Sequence, residues 1–435
     1  MIISTGVACL VLLSGFVTLI MLRVPVAFAL GIATIPLVAL DIRLTPFLIM
    51  DRMLNSYTSF ILLAVPFFLL AANLMNSGKI TDRLIGLATV LTGWLPGGLG
   101  HVNVAVSMLF AGISGSSTAD AAGCGKILIP AMTREGYDPR FSVAITACSS
   151  VMGVIIPPSI LMIVWGGVMS VSVGSLFLAG AIPGLMIAVA LMATVYGYAI
   201  VYGYPTAGKP SLSEFWVALK GAGLALLTPV FVIGGIVGGI VTPTESAIIA
   251  AFYSLFLGAV VYRTINFRDT ISILYETGRF ASISLFAIGT ASVFGWMLAF
   301  YNVPRLMVGI MTGLQMGQIG TSLVIAGFFL LFGLFIDAIP AIIILGTVLY
   351  PVASAAEIHP VVFAIIGIVS LSFGLVTPPY GLCLLISASI AKINVVSVLK
   401  DVAIILAPML LILLLIIIFP GIVLWLPSLL MPGFK

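Results

Sequence analysis

Charge is the scarcest thing in this sequence. Of 435 residues only 7% are Asp, Glu, Lys or Arg, 62% are hydrophobic, and mean hydropathy is +1.33. So few charges cannot cover a water-exposed surface, which excludes a soluble fold and leaves a polytopic membrane protein. Polar stretches are missing too: the longest, residues 203–220, is only a loop. Residues 1–22 lack a basic leading segment and a small-residue cleavage pattern, so they read as a first spanning helix rather than a signal peptide. Cys9, Cys124, Cys148 and Cys383 have no paired spacing, which argues against disulfides and metal ligation; they read as small buried hydrophobes. His101 and His359 stand too far apart in sequence to suggest a metal pair. No Gly-x-x-x-x-Gly-Lys-Ser/Thr run is present, so the chain does not itself hydrolyse ATP. No Gly-x-Ser-x-Gly elbow or acid–base cluster suggests an enzyme, and Gly115-Ser-Ser-Thr has no base beside it. The net charge of +4 forms no basic patch, so nucleic acid is not a partner.

Glycine and proline, by contrast, are plentiful and ordered. Gly112, Gly125, Pro130, Pro139, Gly153, Pro157 and Pro158 recur, type for type, 221 positions later as Gly333, Gly346, Pro351, Pro360, Gly374, Pro378 and Pro379. Random pairing of the 10 and 9 Gly/Pro positions in these 47-residue windows would give about two matches. Because both residues constrain the backbone, the repeat is one of backbone shape. It predicts an all-α membrane protein of two repeats, residues 1–221 and 222–435. In each, a re-entrant helical hairpin (100–132; 318–353) precedes a broken helix (141–171; 360–391). Paired interruptions of this kind mark a transporter's binding site.

Apolar runs predict ten spans, near 3–22, 24–42, 59–77, 141–171, 175–202, 222–241, 243–262, 280–300, 360–391 and 398–426, each long enough to cross about 30 Å. The hairpin arms, about 15 residues each, are too short to cross, so their tips lie within the membrane against protein or water. Lys79 to Leu99 and Tyr301 to Gly317 read as interfacial arm helices, with a tilted extra span as the other reading. With the N-terminus outside, the inner side holds Arg23, Lys79, Arg83, Arg134, Arg140, Lys209, Lys220, Arg263, Arg268, Arg279, Lys392 and Lys400. The outer side then holds Arg43, Arg52, Arg305 and Lys435, while Lys126 lies in a hairpin arm and reads as snorkelling. Arg134 and Arg140 close the first hairpin, whereas residues 354–359 close the second without a Lys or Arg. The hairpins therefore enter from opposite sides. Five crossings per half, an odd number, make the halves inverted and put both termini in the periplasm.

Chemistry concentrates where a hairpin tip meets a broken helix. Val154-Ile-Ile-Pro-Pro-Ser159 and Leu375-Val-Thr-Pro-Pro-Tyr380 each place two prolines mid-span, which removes helical partners from carbonyls near Gly153, Ile156, Gly374 and Thr377. A cation suits such oxygens, and Ser114, Ser116 or Asp337 could complete a cage. Asp337 also reads as an N-cap, and both roles are compatible. Ser117-Thr-Ala-Asp120 and Thr242-Pro-Thr-Glu245 read as capping boxes. Gly234, Gly235, Gly238 and Gly239 suggest close helix packing.

Taken in order, these motifs resemble the large membrane subunit of tripartite ATP-independent periplasmic (TRAP) transporters. The resemblance rests on Gly112-Ile-Ser-Gly-Ser-Ser-Thr-Ala-Asp-Ala-Ala-Gly, Ile129-Pro-Ala-Met-Thr-Arg-Glu-Gly-Tyr-Asp-Pro and Val154-Ile-Ile-Pro-Pro-Ser, with Gly100-His-Val-Asn, Pro243-Thr-Glu-Ser-Ala, Phe335-Ile-Asp-Ala and Thr377-Pro-Pro-Tyr-Gly. It implies sodium-driven elevator symport of an organic acid, such as a C4-dicarboxylate or sialic acid, across a bacterial inner membrane. It also implies two partners: a small four-helix membrane subunit, here expected as a separate chain, and a periplasmic binding protein that delivers substrate. One sodium site would use Ser114, Ser116, Gly153, Ile156 and Pro158; the other would use Phe335, Asp337, Gly374, Thr377 and Pro379. Backbone ligation at Ser116 is the safer expectation, since related proteins often carry Gly-Ser-Ala or Gly-Ser-Gly there. Ser117, Thr118, Ser159 and Tyr380 are the candidate substrate contacts. The alternative function is a stand-alone sodium-coupled dicarboxylate or anion transporter of the same superfamily.

Overall fold

The computed structural model describes residues 3–431 and 433–434, all helices and connections with no strand among them. Lys435, assigned above to the outer side, lies outside the described residues. Large apolar side chains face outward around the rim, among them Leu10, Met21, Ile240 and Phe267, at 68–80% exposure. On a soluble protein such a surface would aggregate; here it meets lipid.

Among the described residues, seven helices are long and apolar enough to cross a membrane: Phe60–Ser77, Val173–Tyr202, Leu212–Val237, Pro243–Val261, Phe267–Phe300, Ala338–Ala355 and Val395–Ile418. The expectation that each of ten spans is long enough to cross is corrected. Thr5–Met21 and Val26–Leu40 have only 17 and 15 residues, because the turns at Arg23 and Asp41 end them early. The segment expected at 280–300 begins at Phe267 and runs 34 residues, started by an Asn266–Asp269 capping box. Both interrupted segments are indeed broken. Pro139–Ser150 passes through a tight 3₁₀ turn to a cis Pro157–Pro158 bond and Ile160–Met169. Pro360–Gly374 passes through a cis Pro378–Pro379 bond to Leu382–Ala391.

Arm helices occupy Ile80–Thr92 and Val303–Gly313, each begun by a left-handed residue, Lys79 (φ 53°) or Asn302 (φ 57°). Two antiparallel pairs follow: Gly98–Ser114 with Ser117–Arg134, and Gln318–Gly333 with Ala338–Ala355. Their members have 16 to 18 residues, close to the 15 expected, and of the four only Ala338–Ala355 is long and apolar enough to cross. Ser117–Arg134 and Ala338–Ala355 both have 18 residues and start 221 positions apart, as do the helices starting at Pro139 and Pro360.

Loops fasten these elements at their ends. Asp41 is buried; it accepts from Arg43 through both carboxylate oxygens (3.0 and 2.6 Å), from the Tyr301 hydroxyl (2.8 Å) and from the Ile3 N–H (3.3 Å). The Arg43 guanidinium holds this carboxyl well below the usual carboxylate range. At the other arm, Thr264 donates to the Gly78 carbonyl (2.9 Å) and Arg83 lies over the Tyr262 ring. Residues 204–207 strap the base of the first hairpin: Gly98 N–H donates to Pro205 O (3.1 Å) and Ala207 N–H to Gly93 O (3.0 Å).

Thr242 and Glu245 form the expected capping box, with bonds of 2.7 and 3.3 Å. The box at Ser117–Asp120 does not form. Ser116 is the cap, its hydroxyl accepting from Ala119 N–H (3.4 Å), which shifts Asp120 onto a fully buried face. Within the chain, the run Gly234 to Gly239 does not form a packing stripe along one helix. A Cβ on Gly234 would meet nothing within 4 Å, and left-handed Gly239 turns the chain after the helix has ended.

Candidate substrate and cation site

The first tip is two residues long. Gly115 adopts a left-handed conformation (φ 63°) and Ser116 is extended, so the chain reverses between the Gly98–Ser114 and Ser117–Arg134 helices with no further linker. It is bound to the first broken helix: Gly115 O accepts from Ile160 N–H (3.2 Å), and the Ser117 hydroxyl donates to Val151 O (3.3 Å). Backbone meets backbone here. A Cβ on Gly153 would fall 2.9 Å from both Ser116 C and Ser117 N, closer than any side chain tolerates.

At the second tip the turn is four residues, Leu334 to Asp337. Leu334 O accepts from Tyr380 N–H (2.9 Å), and a Cβ on Gly374 would collide with the Gly333 backbone. Asp337, extended like Ser116, caps its helix by accepting from Ala338 N–H (2.8 Å). Asp337 is half-buried, and the Tyr380 hydroxyl faces its carboxylate.

The carbonyls released by the prolines are less bare than the sequence suggests. Gly374 O regains Thr377 N–H (3.2 Å), Thr377 O regains Gly381 N–H (3.1 Å), and Val154 O accepts from the Ser159 hydroxyl (2.6 Å). Each carbonyl has two lone pairs, so a turn bond leaves one for a ligand. Both tips offer oxygen donors: backbone carbonyls, the hydroxyls of Ser114, Ser116 and Thr377, and the Asp337 carboxylate. Among the described residues no three His, Cys, Asp or Glu side chains converge. Such oxygen-rich, thiol-free and imidazole-free tips fit a hard cation.

Between the tips lies a cavity of about 170 Å³. Gly115, Ser116, Ser117 and Thr118 line it from one tip, Asp337, Ala338 and Ile339 from the other. The Ser116 and Thr118 hydroxyls are 3.1 Å apart beside the first N–H groups of the Ser117–Arg134 helix, and Ala338 begins the opposing helix. Two helix N-termini therefore converge on one space, which favours an anionic group there. Among the described residues, Asp337 is the sole formally charged one in the lining, and no Lys, Arg or His lines the cavity. Ser159 and Tyr380 are not in the lining: the Ser159 hydroxyl is used on Val154 O and on Met162 N–H (3.3 Å), and Tyr380 packs beside Asp337.

The far wall, Val65, Leu69, Phe280 and Ser284, comes from the Phe60–Ser77 and Phe267–Phe300 segments, which carry no motif.

Residues 13–422 match the family model for the tripartite ATP-independent periplasmic transporter DctM component. The chain belongs to this family. As a TRAP large permease subunit it is a multi-pass membrane protein and a transporter component, not an enzyme. It is similar to the sialic acid TRAP transporter large permease protein SiaM of Vibrio cholerae, 38% identical over 95% of this chain and 97% of that one. Similar too is the C4-dicarboxylate large permease DctM of Rhodobacter capsulatus, 32% identical over 97% and 99%. Among solved structures, the YdaH transporter of Alcanivorax borkumensis shares the fold (TM-score 0.62, 85% and 87% coverage) at 14% identity.

Proposed function

We propose that this TRAP permease imports an organic acid by sodium-driven, elevator-type symport across a bacterial inner membrane. The substrate is a sialic acid, C4-dicarboxylate or similar carboxylate, delivered by a periplasmic binding protein. A small four-helix subunit on a separate chain completes the membrane complex. Residues 1–221 and 222–435 form inverted repeats with periplasmic termini, and the hairpins are re-entrant.

The cavity's charge carries this reading. A carboxylate entering it meets the Asp337 carboxylate and no cationic side chain. Two like charges within a few ångströms at low dielectric repel by several kcal/mol, more than helix N-termini alone offset. Cations must therefore arrive with the substrate. One sodium ion would sit on Ser114, Ser116, Gly153, Ile156 and Pro158, the other on Phe335, Asp337, Gly374, Thr377 and Pro379. Both add positive charge beside the space where the substrate's carboxylate meets the Ser117 and Ala338 N-termini and the Thr118 hydroxyl. Bound together, the ions and the anion nearly cancel, so each binds more tightly when the others are present. That mutual dependence is coupling.

Reconstitution in proteoliposomes with the small subunit and the loaded binding protein tests it. Uptake should require an inward sodium gradient and stop when potassium or choline replaces sodium. Uptake at the same rate without sodium would refute the coupling, and undiminished uptake without the binding protein would favour a stand-alone carrier.

A further inference from the structure

Asp120 has no role in the site described above, yet it is fully buried and neither carboxylate oxygen has a hydrogen-bond partner among the described residues. An ionised carboxylate in that condition is too costly to persist unless a positive charge accompanies it. Its surroundings make the need specific. The Ser107 hydroxyl and the Cys124 thiol face the carboxylate. Ser107 belongs to a buried network with Asn103, Thr146 and Ser149 on Gly98–Ser114 and Pro139–Ser150, and the hydrogens of that network can be traced. Asn103 Nδ2 donates to Thr146 Oγ1 (2.7 Å), which donates to Ser142 O (2.7 Å). Ser149 spends its single hydrogen on Asn103 Oδ1 (3.0 Å) or Thr146 O (3.2 Å). With that hydrogen so spent, Ser107 is the donor in the 3.0 Å Ser107–Ser149 contact.

Every hydrogen in the chain runs away from Asp120. What Ser107 turns toward the carboxylate is lone pairs, so on that side two acceptors face one another, and the weak donor of the Cys124 thiol is all that the neighbouring side chains offer Asp120. Asp120 also lies in the first turns of the Ser117–Arg134 helix, close behind the tip. We infer that Asp120 and Ser107 form a further sodium site, buried behind the first tip. It extends the sodium-coupled reading above to a position with its own ligands, and Asp120 N–H donating to Ser116 O (3.1 Å) ties it to the tip. An ion here would hold the Gly98–Ser114 and Ser117–Arg134 helices together before substrate arrives.

Radioactive sodium binding to the full-length chain in nanodiscs, against a choline background, tests the inference. Asp120→Asn should bind one sodium fewer than the unsubstituted protein. Ser107→Ala should weaken one site about tenfold or more. Asp337→Asn should lose a different ion, so that the double variant Asp120→Asn, Asp337→Asn loses two. A folded Asp120→Asn protein with an unchanged count overturns the inference, because the carboxyl then carries a proton. Should Asp120→Asn fail to fold, Ser107→Ala binding sodium with unaltered affinity at every site overturns it equally. If Asp337→Asn keeps the full count while Asp120→Asn loses one, the tip reading fails and this site stands.

Discussion

The two hairpin tips hold the same place in the chain, 221 residues apart, and solve the same turn differently. The first reverses in two residues and caps its outgoing helix with a serine; the second takes four and uses an aspartate in the register of that serine. Each is held to its broken helix by one backbone hydrogen bond, at 3.2 and 2.9 Å, and by a glycine that admits no side chain. Backbone contact is thus alike while charge differs. The helix N-terminus needs a cap at both tips, and Ser and Asp serve almost equally there. Choosing Asp at one tip places a formal charge on the cavity wall without altering the turn's function.

The largest effect should come from exchanging the caps. Asp337→Ser keeps a cap but removes the charge, so we expect a folded protein whose sodium-dependent uptake in proteoliposomes falls by about 100-fold or more, equivalent to about 2.7 kcal/mol. Ser116→Asp adds a second carboxylate and should weaken the anionic substrate while leaving the melting temperature within a few degrees. Normal uptake by Asp337→Ser would end the argument from cavity charge.

Next in size are the glycines. Gly374→Ala drives a methyl into the Gly333 backbone, which cannot move aside as a side chain could, and should cost about 2–4 kcal/mol, read as lost thermal stability in detergent. Gly153→Ala, with contacts of 2.9 Å, should cost somewhat less. Equal tolerance at both sites would mean that the tips are not docked as described. Least energetic, though decisive for orientation, is labelling of single cysteines at Arg134 and Glu357. Reagents should reach the first only from the cytoplasm and the second only from the periplasm; one side for both would end the inversion.

What the sequence made legible was whatever glycine and proline dictate: both broken helices, both tips, and a helix start such as Pro360. Caps were legible to within one residue, and at Ser116 one residue mattered. Taking Ser117 as the cap makes Asp120 a capping partner; taking Ser116 turns it inward to an unpaired, buried position. The ends of Thr5–Met21 and Val26–Leu40 are marked by Arg23 and Asp41, whereas the start of the 34-residue helix at Phe267, well before its apolar run, was not anticipated. Nor did the cavity's far wall announce itself. Leu69 and Phe280 reach it through tertiary packing, and an apolar residue facing a cavity looks like one facing lipid.

The strap at residues 204–207 has a mechanical consequence. Ala207 is fastened to Gly93, and the next helix is capped at Ser211, so only Gly208, Lys209 and Pro210 are free between them. Four extended steps of chain reach about 14 Å. Any larger stroke of the first hairpin past the Leu212–Val237 helix must either drag that helix along or peel the strap from its anchor.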